Sequence, residues 1–215
     1  MLKGTRVQDL KNSGYLLPDT RNLLAEFIAN ASFLEKYVLV GGTALSLHLC
    51  HRKSEDLDFF TYSDSFEKKE IFDYINNRFE QVEIINQTND QIDLLINGVK
   101  VTFFNAKWNF LKPKKIKRFN LSPLEAIAGM KVNTLFLRAT FRDYYDLYFL
   151  VREGMTLQEI FHYSKDVIAG VTFKMLAIAL VYTDDVEDEN IAHLQPELKI
   201  STKEIRSFFE EKLKA

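Results

Sequence analysis

A single cysteine, Cys50, stands in 215 residues, so no disulfide can form within the chain, and this usage suits a reducing compartment. No apolar stretch approaches the roughly 20 residues of a membrane-spanning helix; the longest runs only from Met175 to Tyr182. The first ten residues are polar and carry no hydrophobic region of a secretion signal. Charge of one sign is missing too. The net charge is −2, so no global field draws the chain to nucleic acid or an anionic membrane, and any such contact must be local. No repeat period or low-complexity tract is visible. These absences predict a soluble cytoplasmic protein with no membrane association.

Apolar residues make up 47% of the chain, with eighteen Phe and nine Tyr, enough for the core of one ordinary domain or two small ones. Helical spacing of Leu23, Leu24, Phe27 and Ile28 predicts a helix over Thr20 to Ser32. Tyr37 to Val40 and Leu57 to Thr61 read as short strands, with a helix over Thr43 to His51 between them. Ser65 is expected to cap a helix reaching Arg78, and Val82 to Ile85 reads as a third strand. Gln91 to Ile96 and Val99 to Phe104 flank Asn97-Gly98, the signature of a hairpin with a two-residue type I′ turn. That turn predicts Ile96 opposite Val99, and Asp93 opposite Thr102.

Lys107 to Arg118 holds six Lys or Arg around Trp108 and Phe110. This run reads either as a solvated loop or as an RNA contact through stacking and charge. From Ser122 the pattern turns helical. Ser122-Pro123-Leu124-Glu125 reads as a capping box, as do Thr156-x-x-Glu159 and Ser201-x-x-Glu204, and a helix is expected over Thr140 to Arg152. The expected division is a mixed α/β core over 1–120 and a helical C-terminal portion over 121–215 that completes the active-site cleft.

The chemistry is concentrated in two places. Val38-Leu39-Val40 stops at Gly41-Gly42-Thr43, and Asp56-Leu57-Asp58 follows within a second apolar run. Residues two apart in a strand share a side, so Asp56 and Asp58 present two carboxylates together. Two such groups repel unless a cation lies between them, and oxygen ligands suit Mg²⁺ or Mn²⁺. The alternative is an exposed strand edge with two solvated aspartates. A glycine pair opening a helix supplies N–H groups for an anion. Metal carboxylates beside a phosphate cradle point to phosphoryl or nucleotidyl transfer. His48 and His51 flank Cys50, but three such residues on one short helix do not make a zinc site.

The stretch from Gly41-Gly42-Thr43-Ala44-Leu45 through His51-Arg52-x-Ser54-x-Asp56-Leu57-Asp58-Phe59-Phe60 resembles the first motif of the AbiEii/MenT group. These are nucleotidyltransferase-fold toxins of bacterial toxin–antitoxin and phage-defence systems. The resemblance continues in Ala126-x-x-x-Met130-Lys131 and in Arg138-x-x-x-Arg142-Asp143-Tyr144-Tyr145-Asp146-Leu147. It implies an α+β nucleotidyltransferase fold, with a small mixed sheet flanked by helices and a helical C-terminal portion. It further implies an NTP substrate, with Mg²⁺ (or Mn²⁺) held by Asp56 and Asp58. Gly41, Gly42 and Thr43 would grip the phosphates, with Arg52, Ser54 and Arg138 as further nucleotide contacts. Lys131 would neutralise phosphate charge, and Asp146 would orient that lysine or help activate the acceptor. Related toxins imply tRNA as acceptor, growth arrest as outcome and a separate antitoxin protein as partner.

Each of these residues also has a plainer reading: a structural ion pair for Arg52, a solvated helix residue for Lys131, and an i,i+4 surface pair for Arg142 with Asp146. The chain departs from the family in one respect. The strand expected to carry a third carboxylate, Val99 to Phe104, has none, and Thr102 is the likeliest equivalent. Asp93, directly across the hairpin, is the candidate replacement as a metal ligand; its alternative is to face solvent. Two rival functions remain open at this stage: transfer to a protein hydroxyl, and a non-catalytic nucleotide- or RNA-binding module.

Overall fold

The structure, a computed structural model, describes residues 12–62, 66–113, 117–187 and 189–214. The expected helix cap Ser65, the polar N-terminal ten residues and residues 114–116 of the basic run lie outside them. Packing divides the chain into two compact units, Met1–Ser122 and Pro123–Ala215.

The first unit is built on a five-stranded mixed sheet. Its strands are β1 (Tyr37–Val40), β2 (Leu57–Thr61), β3 (Val82–Gln87), β4 (Gln91–Ile96) and β5 (Val99–Asn105), in spatial order β1-β2-β5-β4-β3. Only β2 and β5 run parallel; every other pair is antiparallel. Helices α1 (Pro18–Asn30), α2 (Gly41–Leu49) and α3 (Lys68–Arg78) accompany it. The hairpin is as the Asn-Gly signature requires. Asn97 and Gly98 both take left-handed φ, 49° and 80°, and the register pairs Ile96 with Val99 and Asp93 with Thr102.

Strand alternation sorts the two faces of the sheet. On β2, Leu57, Phe59 and Thr61 are buried while Asp58 and Phe60 are half-buried. Phe59 and Phe103 stack at 5.4 Å and 18°; Phe27 of α1, Phe33 and Tyr37 meet Phe103 edge-on, and Tyr74 of α3 meets Phe27 tilted. This aromatic core holds one face and leaves the other to the polar row described below. The outer edge of β1 is covered by the chain as it leaves the sheet: Leu39 N–H donates to Asn120 O, and Ser122 N–H donates to Leu39 O. Ser122, expected to cap the next helix, is spent here instead. It is fully buried, its carbonyl meets His48 Nε2 at 2.7 Å, and the N-cap position falls on Pro123 without a side-chain cap.

The second unit is helical: α4 (Leu124–Leu137), α5 (Phe141–Arg152), α6 (Leu157–Ser164), α7 (Phe173–Val181) and α8 (Thr202–Lys212). The Thr156–Glu159 and Ser201–Glu204 capping boxes form as expected, and Thr140 with Asp143 makes another at the start of α5. Helices α4 and α6 meet at Gly129, where a Cβ would lie 2.5 Å from the backbone oxygen of Tyr163. Gly129→Ala therefore cannot be absorbed by moving a side chain. It should destabilise this unit by about 1–3 kcal/mol, read as a lowered denaturant midpoint. An unchanged midpoint would contradict the close α4–α6 approach.

Candidate active site

The candidate site of the first unit forms where β1 hands over to α2. Gly41 has φ +71°, a conformation that admits glycine and strains other residues. A Cβ there would lie 2.5 Å from Asp58 Oδ2, so the missing side chain is what lets the Asp58 carboxylate sit against the start of the helix. Gly42 does the same for Arg52, whose Nη2 lies 2.8 Å from where a Gly42 Cβ would be. Thr43 Oγ1 is within hydrogen-bonding distance of Ser54 Oγ, 2.8 Å, and donates to Asp56 O, tying the turn to the segment that carries the two carboxylates. Val40, at the N-cap, offers no side-chain acceptor to the first amides of α2. Helix N-terminus, guanidinium and carboxylates thus converge, which brings together Gly41, Gly42, Thr43, Arg52, Ser54, Asp56 and Asp58. Arg52 and Ser54 are buried, whereas Asp56 and Asp58 are half-buried. Asp56 lies just before β2, not within it.

Across the sheet one register row runs Val40, Asp58, Thr102, Asp93, Asn86. Directly paired residues share a face, so Asp93 is on the Asp58 side as the hairpin register predicts. It does not, however, join the two aspartates as a ligand. Two strand spacings separate it from Asp58, about 10 Å between Cα atoms. Its oxygens accept from Thr102 Oγ1 at 2.9 Å, Gln91 Nε2 at 2.7 Å and Asn86 Nδ2 at 3.1 Å. Among the described residues no three His, Cys, Asp or Glu side chains converge as a metal site. The expected three-carboxylate set is therefore corrected to a pair, because the residue between the two strands is a threonine. A pair still fits the expected cation. Mg²⁺ is commonly held by one or two carboxylates, with substrate phosphates and water completing its sphere.

The second unit holds the other expected residues as a buried charge cluster. Lys131 on α4 is only 5% exposed, which corrects the reading of a solvated helix residue. Its Nζ lies 2.5 Å from Asp146 Oδ2 and 3.6 Å from Asp143 Oδ1, the two aspartates sharing one face of α5. Arg138 grips Asp143 in a fork, Nε to Oδ2 at 2.9 Å and Nη2 to Oδ1 at 3.0 Å. Arg142 pairs with Glu189 at 3.1 Å. Burial pushes the Asp143 carboxyl up, but the Arg138 hydrogen bonds, the Lys131 charge and Thr140 together hold it below the usual carboxylate range. The Thr140 cap and the Gly129 contact went unread in the sequence. Thr140-x-x-Asp143 was a legible signal for the first, since Asp caps as Glu does.

Several known proteins resemble this chain. Residues 22–117 match the family described as nucleotidyl transferase AbiEii toxin, type IV TA system. That stretch is an AbiEii nucleotidyltransferase domain. It contains the whole glycine-turn site, and the match supports a nucleotidyltransferase. The protein aq_aa25 of Aquifex aeolicus, strain VF5, is 29% identical over 194 residues, 88% of this chain and 92% of its own. Among solved structures, JHP933 from Helicobacter pylori aligns over 93% of this chain and 94% of its own, at 22% identity and TM-score 0.54. MenT4, a nucleotidyltransferase toxin from Mycobacterium tuberculosis H37Rv, aligns over 100% of this chain and 91% of its own, at 13% identity and TM-score 0.55. At these identities the structures share the fold with this chain.

Gly41→Ala should destabilise by about 1–3 kcal/mol through strain and overlap. Combined with Asp58→Gly, which removes the overlapping carboxylate, the cost should fall by at least 0.5 kcal/mol, the scale of a real coupling. Strict additivity in the cycle would show that the two do not touch. In the second unit, Lys131→Met should cost about 3–5 kcal/mol by removing the cation that faces the buried Asp146 and Asp143 carboxylates. Asp143 titrates lower folded than unfolded. Its contribution is full above its unfolded value of about 3.9 and is lost as pH falls through the folded value. Asp143→Asn should accordingly flatten the acid limb of stability against pH; an unchanged limb would sink the network.

Proposed function

We propose that this chain transfers a nucleoside monophosphate from an NTP to a hydroxyl of tRNA, with a divalent cation, Mg²⁺ or Mn²⁺, as cofactor. It acts in the cytoplasm as the toxin of a bacterial toxin–antitoxin or phage-defence pair, restrained by a separate antitoxin protein. The observation that carries this reading is the Asp58 carboxylate packed against Gly41 at the N-terminus of α2. A cation ligand and an anion-binding helix end are there in contact, as a metal–triphosphate complex requires.

The roles follow from the chain's own groups. The amides of Gly41, Gly42 and Thr43 receive phosphate oxygens, and Arg52 adds a planar fork of donors. Thr43 and Ser54, bonded to each other, keep that turn in register with Asp56. Asp56 and Asp58 would hold the cation, which when bound neutralises triphosphate charge and acts as a Lewis acid. The acceptor hydroxyl forms the new O–P bond at the α-phosphorus, the α–β bridging P–O bond breaks, pyrophosphate leaves and the hydroxyl proton is released. Lys131 is assigned to phosphate charge and Asp146, its partner at 2.5 Å, to orienting that lysine. Arg138 remains a nucleotide contact only if it can leave its fork with Asp143, so in this reading it first secures Asp143.

The test is incubation of the chain with each α-labelled NTP, Mg²⁺ and total tRNA. Label should enter RNA and vanish with a chelator. Asp56→Asn and Asp58→Asn should reduce transfer about 10³-fold, the loss of several kcal/mol of charge stabilisation, with melting temperatures within a few degrees of wild type. Label appearing on protein would replace the acceptor, and no NTP turnover with any acceptor would leave a binding module. Induced expression in bacteria should arrest growth for the wild type but not for Asp58→Ala.

A further inference from the structure

The face that bears Asp58 continues into half-buried rings. Phe60 lies two residues beyond Asp58 on β2, and Phe104 two beyond Thr102 on β5, so both point to the same side as the Asp58–Thr102 pair. They are themselves a register pair, with ring centroids 5.0 Å apart. After β5, Lys107 takes a left-handed φ of 55°, and Trp108 follows with its ring 6.0 Å from Phe60. Phe110 then stacks on Trp108 at 5.4 Å and 21°. The four rings form one ladder, Phe104–Phe60–Trp108–Phe110, and none of them is fully buried. The rings that build the core, Phe59 and Phe103, are on the opposite face. A ladder beside the core is not needed to fill it.

Its surroundings are basic. Lys107 and Lys112 bracket the two outer rings, and both are exposed. The nearby acidic group recorded is Asp90, 3.3 Å from Lys107. Rings that offer flat faces, interleaved with cations, bind single-stranded nucleic acid: bases stack without regard to sequence while the cations meet the backbone. A duplex hides its base faces and would not engage such a ladder.

We propose that the Phe104–Phe60–Trp108–Phe110 ladder is the stacking surface for an unpaired end of the RNA acceptor, leading it along the sheet toward Asp58. The ladder starts one side-chain repeat from Asp58, about 7 Å along the strand, so a base stacked on Phe60 brings the adjoining ribose to the carboxylate end of the face. This rests on the RNA-transfer reading and narrows its substrate to RNA with a single-stranded terminus.

Trp108 is the only tryptophan of the chain, so its fluorescence reports this surface alone. The experiment titrates the full-length protein with a 12-nucleotide mixed-sequence oligoribonucleotide, the same sequence as a blunt duplex, and an NTP with Mg²⁺. The single strand should quench Trp108 saturably; the duplex and the NTP should not. By anisotropy of a fluorescein-labelled oligomer, Trp108→Leu and Phe110→Leu should each weaken binding about tenfold. Binding of the oligomer without quenching would place RNA elsewhere, and quenching by the NTP alone would assign the rings to the substrate base; either overturns the proposal. Quenching by RNA in a protein that labels no RNA would keep the ladder and remove the transfer reading. Transfer to tRNA without quenching would do the reverse.

Discussion

The Asp58 carboxylate occupies the space that a side chain at Gly41 would fill. From that contact the local architecture follows. Gly41 must take a left-handed φ and carry no Cβ, so the chain can leave β1 and enter α2 without a linker. Gly42 must also be bare, because the Arg52 guanidinium lies over it. Thr43 then binds Ser54 and the Asp56 carbonyl, which fixes where β2 begins. Asp56 and Asp58 are both half-buried rather than fully buried, and Asp58 lies against a helix N-terminus, which favours negative charge. The strain accepted here is balanced by the aromatic core on the opposite face.

The second unit solves a different electrostatic problem. Lys131, Asp143 and Asp146 are buried together, and the exposed Arg138 closes over Asp143 from outside. The fork from Arg138 and the Thr140 cap satisfy Asp143, and Lys131 spans to Asp146. A sequence motif read as phosphate-binding is thus also the structural tie between α4 and α5. The two roles are compatible for a lysine, whose ammonium is held in place by its carboxylate before any ligand arrives. They make substitution of Lys131 a poor isolated probe of chemistry, since fold and activity would fall together.

Much of the first unit was legible because its signals are local. Asn97-Gly98 dictated a turn geometry, and that geometry dictated a register that brought Asp93 opposite Thr102. Tyr37 to Val40 and Leu57 to Thr61 were readable as strands because their apolar runs are short and bounded. What the sequence did not give is set by groups far apart in the chain. Asp93 reads as a spare carboxylate until Asn86 and Gln91 are seen to occupy it. Lys131 looks solvated until α5 covers it. Gly129 looks like a weak point in a helix until Tyr163 is found against it. Ser122 carried the pattern of a cap, but the demand of the exposed β1 edge for hydrogen bonds took precedence.

The one parallel pairing in the sheet sets the order in which the polar row can exist. The β1–β2 pair and the hairpin each join segments close in sequence, but β2 meets β5 across the whole of α3, β3 and β4. Contacts of such separation close late, after local ones have formed. During synthesis Asp58 is made early yet has no neighbour on its second side until residue 105 has left the ribosome. The glycine-turn residues therefore emerge before the surface they belong to, and the ribosome producing this chain has finished nearly half of it before that face can close.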